Sequence, residues 1–501
     1  MLAYDNKNIN CMEVLMSTID VRNERNLSML MDFYELTMSN GYFQEGLKDK
    51  IVYFDMFYRK NPDGGGFAIA AGLEQIVDYI KNLRFTKENI NFLRNKKIFS
   101  EEFLNYLLNF KFTGSIYAIP EGTPVFPNEP ILTVKAKAIE AQLLETMILV
   151  TINHQSLIAT KANRIVRAAK GRDVLEFGAR RCQGYDGAIY GARAAYIGGV
   201  CGTATTIADE IFGVPAIGTM AHSWVQLFGD EYTAFETYAR TYPDSCVLLV
   251  DTYNILKSGL PNAIKVAKEV LEPMGKRLKG IRLDSGDMSY LSKKCRQMLD
   301  AAGLNDCKIT VSNSLDEYII TELINQGAEV DSFGVGERLV TAKSEPVFGG
   351  VYKLVAIEDN GDIVPRIKLS ENPEKMTNPG FKQVWRLYDS TTNVAIADVI
   401  TLYDEEIDDT KPYTIFDPVH TWKKKRLTDF VAKKLQVPVF VDGECVYESP
   451  TLEDIRKYCA EQLDTLWNEI KRFSYPHQYY VDLSKNLWDC KNELIEKYSM
   501  K

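Results

Sequence analysis

The sequence predicts an α/β protein, with a parallel sheet at its centre and an α+β unit beside it. Three observations lead there. Short apolar runs begin near Val174, Ala216, Cys246, Gly280, Lys308 and Asp331, and most are separated by a helix-like stretch such as Ala263 to Leu271 or Met288 to Ala301. A polar or glycine residue follows each run, where parallel strands present ligand-binding groups. The first 135 or so residues instead mix helical periodicity with short β-type runs broken by turns. A β-α alternation folds as an open doubly wound sheet or as a closed barrel, and both bring the strand ends to one face.

At 501 residues the chain has room for two to four domains. Residues 1–26 are polar and read as a loosely held arm. Leu27 to Phe43 reads as a helix carrying Met31, Phe33, Tyr34, Leu36 and Met38. Ile51 to Tyr58 is rich in β-branched and aromatic residues and reads as a strand, ending in Arg59-Lys60 and the loop Asn61-Pro62-Asp63-Gly64-Gly65-Gly66. Leu73, Ile76, Val77, Ile80 and Leu83 recur at helical spacing. From Phe112 to Ala136, β-type runs are interrupted by Ile119-Pro120-Glu121-Gly122 and Phe126-Pro127-Asn128-Glu129-Pro130, the turns of a small sheet. After the alternating region, Glu358 to Gly380 is a long polar loop or domain edge, and Val384 to Tyr388 is again β-like. Leu452 to Tyr475 and Leu483 to Tyr498 read as amphipathic helices that close the chain.

Hydrophobic residues make up 46% and charged residues 25%, the proportions of a folded globular protein. The net charge of −9 gives no general attraction for nucleic acid or anionic lipid, so basic chemistry must be gathered in a site. No segment reaches the ~18 uninterrupted apolar residues of a membrane span, and the start MLAYDNKNIN lacks a basic region followed by an apolar stretch, so a cytoplasmic location is expected. Nine cysteines, scattered and without a C-x-x-C pair, fit reduced thiols rather than a disulfide framework or zinc knuckle. Cys182, beside two arginines, could be reactive or simply a small packed residue.

Of four histidines, His222 stands apart, following Gly218-Thr219-Met220-Ala221 at a strand end, where an imidazole could act as a base or accept a phosphoryl group. Asp284-Ser285-Gly286-Asp287 sets two carboxylates and a hydroxyl on a glycine turn, suited to ribose hydroxyls or phosphate-borne Mg²⁺, and equally to capping a helix. Phe333-Gly334-Val335-Gly336-Glu337-Arg338 places two glycines after a strand, where bare N–H groups could cradle a phosphate, although it is neither a Walker A loop nor a full G-x-G-x-x-G. Arg59, Arg180, Arg181, Arg282, Lys343 and Lys353 lie near these turns and could neutralise phosphates. These residues alone point to an α/β enzyme with a phosphate-rich, nucleotide-like substrate and do not name the reaction.

In order and spacing the motifs resemble the nicotinate phosphoribosyltransferases, type II phosphoribosyltransferases of NAD biosynthesis. The matching segments are Met31 to Met38, Glu176-Phe177-Gly178-Ala179-Arg180-Arg181 with Gln183-Gly184 and Asp186-Gly187, Gly218 to Ser223, Arg282 to Asp287, Phe333 to Gly336, Gly350 to Leu354, Lys368 to Thr377 and Val437 to Phe440. The resemblance implies an irregular α/β barrel over 140–345, with an α+β domain built from an N-terminal segment, 27–139, and a C-terminal region, 346–501, that also carries the terminal helices. It implies that nicotinate and 5-phosphoribosyl 1-diphosphate give nicotinate mononucleotide and diphosphate in a homodimer, with Mg²⁺ and with ATP hydrolysis coupled through a phosphohistidine at His222. By the same carry-over, Tyr34 of a partner subunit and Phe177 sandwich the pyridine ring, and Arg282 and Thr219 hold its carboxylate. Arg59, Arg180 and Thr377 bind donor phosphates with Gly334 and Gly336 as backbone donors, while Asp284 meets the ribose hydroxyls or Mg²⁺. The Mg²⁺ ligands are not specified. Ala204, where nicotinamide-using relatives carry an acidic residue, favours the acid over the amide. A nicotinamide or quinolinate phosphoribosyltransferase, or a catalytically silent metabolite-binding scaffold, is the alternative.

Overall fold

A computed structural model of the protein describes residues 25–371, 375–420 and 422–499. The expected N-terminal arm therefore lies outside the described residues except for its last two, as do Asn372, Pro373 and Glu374 of the Lys368 to Thr377 motif.

The central sheet has six parallel strands in the spatial order Gly202–Thr203, Asp173–Glu176, Ser332–Val335, Lys308–Ser312, Gly280–Leu283 and Val247–Leu249. It is the irregular α/β barrel in half-closed form, with Gly202–Thr203 and Val247–Leu249 at its two edges. One expected run became less than a strand, since Ala216 pairs with Thr203 through an isolated parallel bridge. Pro215 explains this, because it has no N–H to extend a ladder. The unexpected strand opposite it begins with Gly202, where a Cβ would stand 2.5 Å from Ile217 and 2.7 Å from the Pro215 carbonyl. Glycine allows that close approach at the cost of any β-type signal in the sequence.

A second sheet joins the two ends of the chain. Its seven antiparallel strands run Asp362–Pro365, Val351–Asp359, Ile51–Phe57, Leu132–Lys137, Ser115–Ala118, Val437–Val441 and Glu444–Cys445, so four come from beyond the barrel. The C-terminal region goes further than completing this domain. It also forms a six-stranded sheet of its own, including Lys382–Asp389, Ala395–Leu402, Phe430–Lys434 and Val481–Leu483, over a separate core of Trp385, Leu387, Val399, Ile415 and Phe430. Only Val384 to Tyr388 announced it, being buried on both faces and so apolar apart from Arg386, which is paired with Asp398.

The helix Glu145–Ala168, 24 residues long, contacts the barrel helices and the N-terminal strands, and buries Gln155, Lys161 and Arg164 among its apolar residues. Helix ends differ from expectation where caps intervene. The first helix begins at Phe33 rather than Leu27, because extended Asp32 caps it and its N–H donates to Glu35 at 3.2 Å. The helix expected to reach Tyr475 stops at Asp464, ahead of a left-handed Tyr475 (φ 49°) followed by Pro476. Met288–Ala301 forms as read, with Asp287 accepting from the Tyr290 N–H. Among the described residues no helix is long and apolar enough to cross a membrane.

Candidate active site

Because the central strands are parallel, their carboxyl ends share one rim. Register places Thr310 beside Arg282, Ser312 beside Gly334, and Val335 beside Glu176, the residue before Phe177. Five neighbouring strand ends thus deliver Phe177, Gly334 to Gly336, Ser312, Arg282 to Asp284, and Asp251 to one place.

The Arg282 guanidinium organises it. Nε donates to Ser312 Oγ at 2.9 Å, Nη2 to Asp284 Oδ1 at 3.1 Å, and Nη1 lies 3.4 Å from Thr219 Oγ1. Its carbon sits 5.3 Å from the centre of the Phe177 ring. Ser312 donates its hydroxyl to Asp284, and the Asp284 N–H donates at 3.2 Å to Asp251 Oδ2, which also accepts the Ser285 hydroxyl at 2.7 Å. Asp251 Oδ1 lies 3.2 Å from His222 Nε2. The Asp251 side chain is 1% exposed and that of His222 40%. A buried carboxylate at Nε2 fixes the ring proton there and leaves Nδ1 with its lone pair available to an incoming electrophile.

Phe177 lies on a floor of glycine. A Cβ at Gly334 would stand 2.6 Å from the ring, and one at Gly336 3.1 Å from the Phe177 carbonyl. The Phe177 N–H donates to the Val335 carbonyl at 2.8 Å. Buried Glu176 braces the turn that follows, accepting from the Gly178 N–H and, at 2.6 Å, from the Thr203 hydroxyl; burial raises its carboxyl above the ordinary range. Arg180 and Arg181 leave this turn as exposed cations. Cys182 is half-buried, and desolvation pushes its thiol up to about 11, so it is not poised as a thiolate.

Three expected site residues lie elsewhere in the chain. Tyr34, 43% exposed on the helix Phe33–Gln44, interacts with Glu145 and makes no ring contact with Phe177. Arg59 follows the strand Ile51–Phe57, with its guanidinium 5.7 Å from the Phe57 ring and a buried Nε that has no hydrogen-bond partner. It lines a cavity of about 400 Å³ with Gly64 to Gly66, Asn378, Lys382, His477 and Lys491. Thr377 is buried beside that cavity, and its hydroxyl accepts from the Lys368 N–H at 3.2 Å. No residue of the His222 network lines it.

Three family models match the chain in succession: the nicotinate phosphoribosyltransferase N-terminal domain over residues 29–153, the nicotinate phosphoribosyltransferase family over 173–404, and its C-terminal domain over 381–491. Nicotinate phosphoribosyltransferase of Bacillus subtilis is 46% identical over 473 residues, covering 94% of this chain and 96% of its own length. The chain belongs to the nicotinate phosphoribosyltransferase family.

The human nicotinate phosphoribosyltransferase is 31% identical over 93% of this chain and 96% of its own length. A crystal structure of human nicotinic acid phosphoribosyltransferase superposes with a TM-score of 0.82 at 29% identity, covering 93% of this chain and all of that one. The nicotinate-nucleotide pyrophosphorylase structure from Pyrococcus furiosus, at a TM-score of 0.66 and 24% identity, shares the fold.

Within this family member the rim gathers Phe177, Thr219, His222, Arg282, Asp284, Gly334 and Gly336, and leaves Tyr34, Arg59 and Thr377 on other layers. Sequence reasoning assigned no role to Asp251 or Ser312, which tie Arg282 and Asp284 to each other and to His222. A signal was present for both. Each ends an apolar run in the alternating region, at the place where Asp284 ends its own.

Proposed function

We propose that the protein transfers the 5-phosphoribosyl group of 5-phosphoribosyl 1-diphosphate to nicotinate, releasing nicotinate mononucleotide and diphosphate, with ATP hydrolysed through a phosphohistidine at His222. The observation that carries this reading is the unbroken hydrogen-bonded path from Arg282 through Asp284 and Asp251 to His222.

Nicotinate is a flat ring with a carboxylate. Phe177 offers it an aromatic face, and Arg282, with Thr219 beside it, offers a guanidinium whose fork matches a carboxylate. Ala204, exposed just after the strand Gly202–Thr203, adds no negative charge near that carboxylate, which favours the acid over the amide. As diphosphate leaves C1, positive charge develops on the ribose and negative charge on the departing oxygens, while the ring nitrogen attacks C1. Arg180 at the rim stabilises the leaving group, and Asp284 faces the ribose hydroxyls. In a homodimer with shared sites, Tyr34 reaches the partner's rim, which suits its exposure, while Arg59, whose buried Nε lacks a partner, and Thr377 bind the donor's phosphates.

Among the described residues no three His, Cys, Asp or Glu side chains cluster as a cage for a metal. The rim carboxylates fit Mg²⁺ that enters on the donor's phosphates, an ion commonly held by one or two carboxylates plus phosphate and water, with Asp284 as the chain's ligand. Bound there, Mg²⁺ would neutralise charge on the leaving diphosphate. His222 Nδ1 takes the γ-phosphoryl group of ATP, leaving ADP, and hydrolysis of the phosphoimidazole returns free histidine and inorganic phosphate.

The test compares product formation from nicotinate, nicotinamide and quinolinate, with and without ATP, and follows label from γ-labelled ATP onto the protein. Nicotinate should be preferred, and His222→Ala should lose both the acid-labile label and the stimulation by ATP. A His222→Ala enzyme that keeps both removes the phosphohistidine from the reading.

A further inference from the structure

The Lys161 side chain, in the middle of the helix Glu145–Ala168, is 3% exposed. Its ammonium spends all three protons, on Asp63 Oδ2 at 2.9 Å, Glu317 at 2.9 Å and Ser344 Oγ at 2.8 Å. Arg164, less than one turn further on, donates to Glu317 at 2.8 Å and lies 3.9 Å from Asp63, so two cations face two carboxylates inside the protein.

The acceptors come from three segments. Asp63 lies in the loop that follows Arg59 and Lys60. Glu317 opens the helix Glu317–Asn325, just beyond the rim strand Lys308–Ser312. Ser344 lies just beyond the short helix Glu337–Val340, which itself follows Gly334 and Gly336. Asp63 has left-handed backbone (φ 54°), a conformation its neighbours hold in place, because its N–H donates to Glu345 Oε2 at 2.7 Å while its carboxylate is bound by Lys161. Glu345 also lies 3.6 Å from Lys60.

We infer that Lys161, Asp63 and Glu345 form a positioning clamp, which sets the loop bearing Arg59 against the segment leaving the rim glycines and thereby presets Arg59 for the donor's phosphate. The inference rests on the proposed phosphoribosyl transfer and adds residues that touch no substrate. Buried ion networks are poor sources of net stability but strongly directional. A clamp between loops uses that property, since cations that must meet phosphate oxygens gain from being held before the ligand arrives.

Asp63→Asn tests it, because asparagine keeps the shape and tolerates left-handed backbone but drops the charge. KM for 5-phosphoribosyl 1-diphosphate should rise about tenfold, with KM for nicotinate within about twofold, while the melting temperature falls because Lys161 and Arg164 are left facing one carboxylate. In an Arg59→Ala background, Asp63→Asn should add nothing further, since both act on one contact. Glu345→Gln, further from the buried cations, should move the donor KM in the same direction by less. The clamp is overturned if Asp63→Asn and Glu345→Gln shift only the melting temperature, or if the Asp63→Asn and Arg59→Ala effects multiply in full. If wild-type enzyme forms no product from nicotinate and the donor, the proposed function fails and the clamp with it. If Arg59→Ala raises the donor KM while Asp63→Asn does not, only the clamp fails.

Discussion

The barrel rim and the cavity around Arg59 are both polar and both built from distant segments, yet they are assembled in different ways. At the rim, neighbouring parallel strands each contribute one or two residues, and hydrogen bonds run from strand end to strand end until Arg282, Asp284, Asp251 and His222 form one network. Around Arg59, the walls come from an N-terminal loop, the C-terminal sheet and the last helix, and the Arg59 Nε is left without a partner. The rim's hydrogen-bonded network closes within one chain, whereas the cavity presents an Arg59 Nε that still has a hydrogen bond to make. Chemistry that needs fixed angles fits the first region, and electrostatic capture of phosphates fits the second.

The sharpest way to break this contrast is to remove the group on which the rim converges. Arg282→Ala leaves Asp284 and Ser312 without their guanidinium and takes away the group assigned to the nicotinate carboxylate. Truncating one member of a hydrogen-bonded charge pair costs about 2–5 kcal/mol, so kcat/KM for nicotinate should fall by at least about thirtyfold, measured at saturating donor. A loss under about fivefold would mean that the rim is not where the carboxylate binds.

The same contrast explains what the sequence made legible. His222, Asp284 and the Gly334 to Gly336 turn stand out because each follows an apolar run, and parallel topology converts that one-dimensional regularity into proximity. Asp251 and Ser312 obey the same rule, but a carboxylate or hydroxyl after a strand is also the ordinary start of a loop, and only the register of Arg282 against its neighbours gives them work. Tyr34 and Thr377 carry no such periodicity and were named through resemblance to the family alone, whereas Arg59 was marked by its charge beside a glycine-rich loop and given its phosphate by the resemblance. The C-terminal sheet was hidden for a different reason. Its strands Lys424–Leu427 and Phe430–Lys434 are rich in lysine and largely exposed, so their pairing leaves little hydrophobic alternation to read.

A smaller change sharpens the account of the rim. Gly334 has no Cβ, and adding one would place it 2.6 Å from the Phe177 ring and 3.2 Å from Ser312 Cβ. Gly334→Ala should therefore tilt the ring off its floor. Losing about 1.4 kcal/mol of stacking corresponds to a tenfold rise in KM for nicotinate, with KM for the donor nearly unchanged. Should the donor KM rise instead, Gly334 serves the phosphate directly rather than through the ring.

The smallest effect lies outside both regions, on the helix that bears Tyr34, and reads stability rather than rate. Glu35, next to Tyr34, is fully buried, accepts from the N–H groups of Asp32 and Thr146 and from the Thr146 hydroxyl, and is raised by burial to about 7, with Glu145 adding to the shift. In the unfolded chain an ordinary glutamate ionises near pH 4.3. Between these values the folded protein holds a proton that the unfolded chain has released, so stability falls as pH rises from about 4.5 to about 7 and stays lower above. Glu35→Gln keeps an acceptor oxygen and never ionises. At pH 8 it should melt a few degrees above wild type, and at pH 4.5 close to it, in scans at one heating rate. Equal melting temperatures at pH 8 would mean that the carboxylate is ionised without penalty, and that the Tyr34 helix is anchored by charge as firmly as by hydrogen bonds.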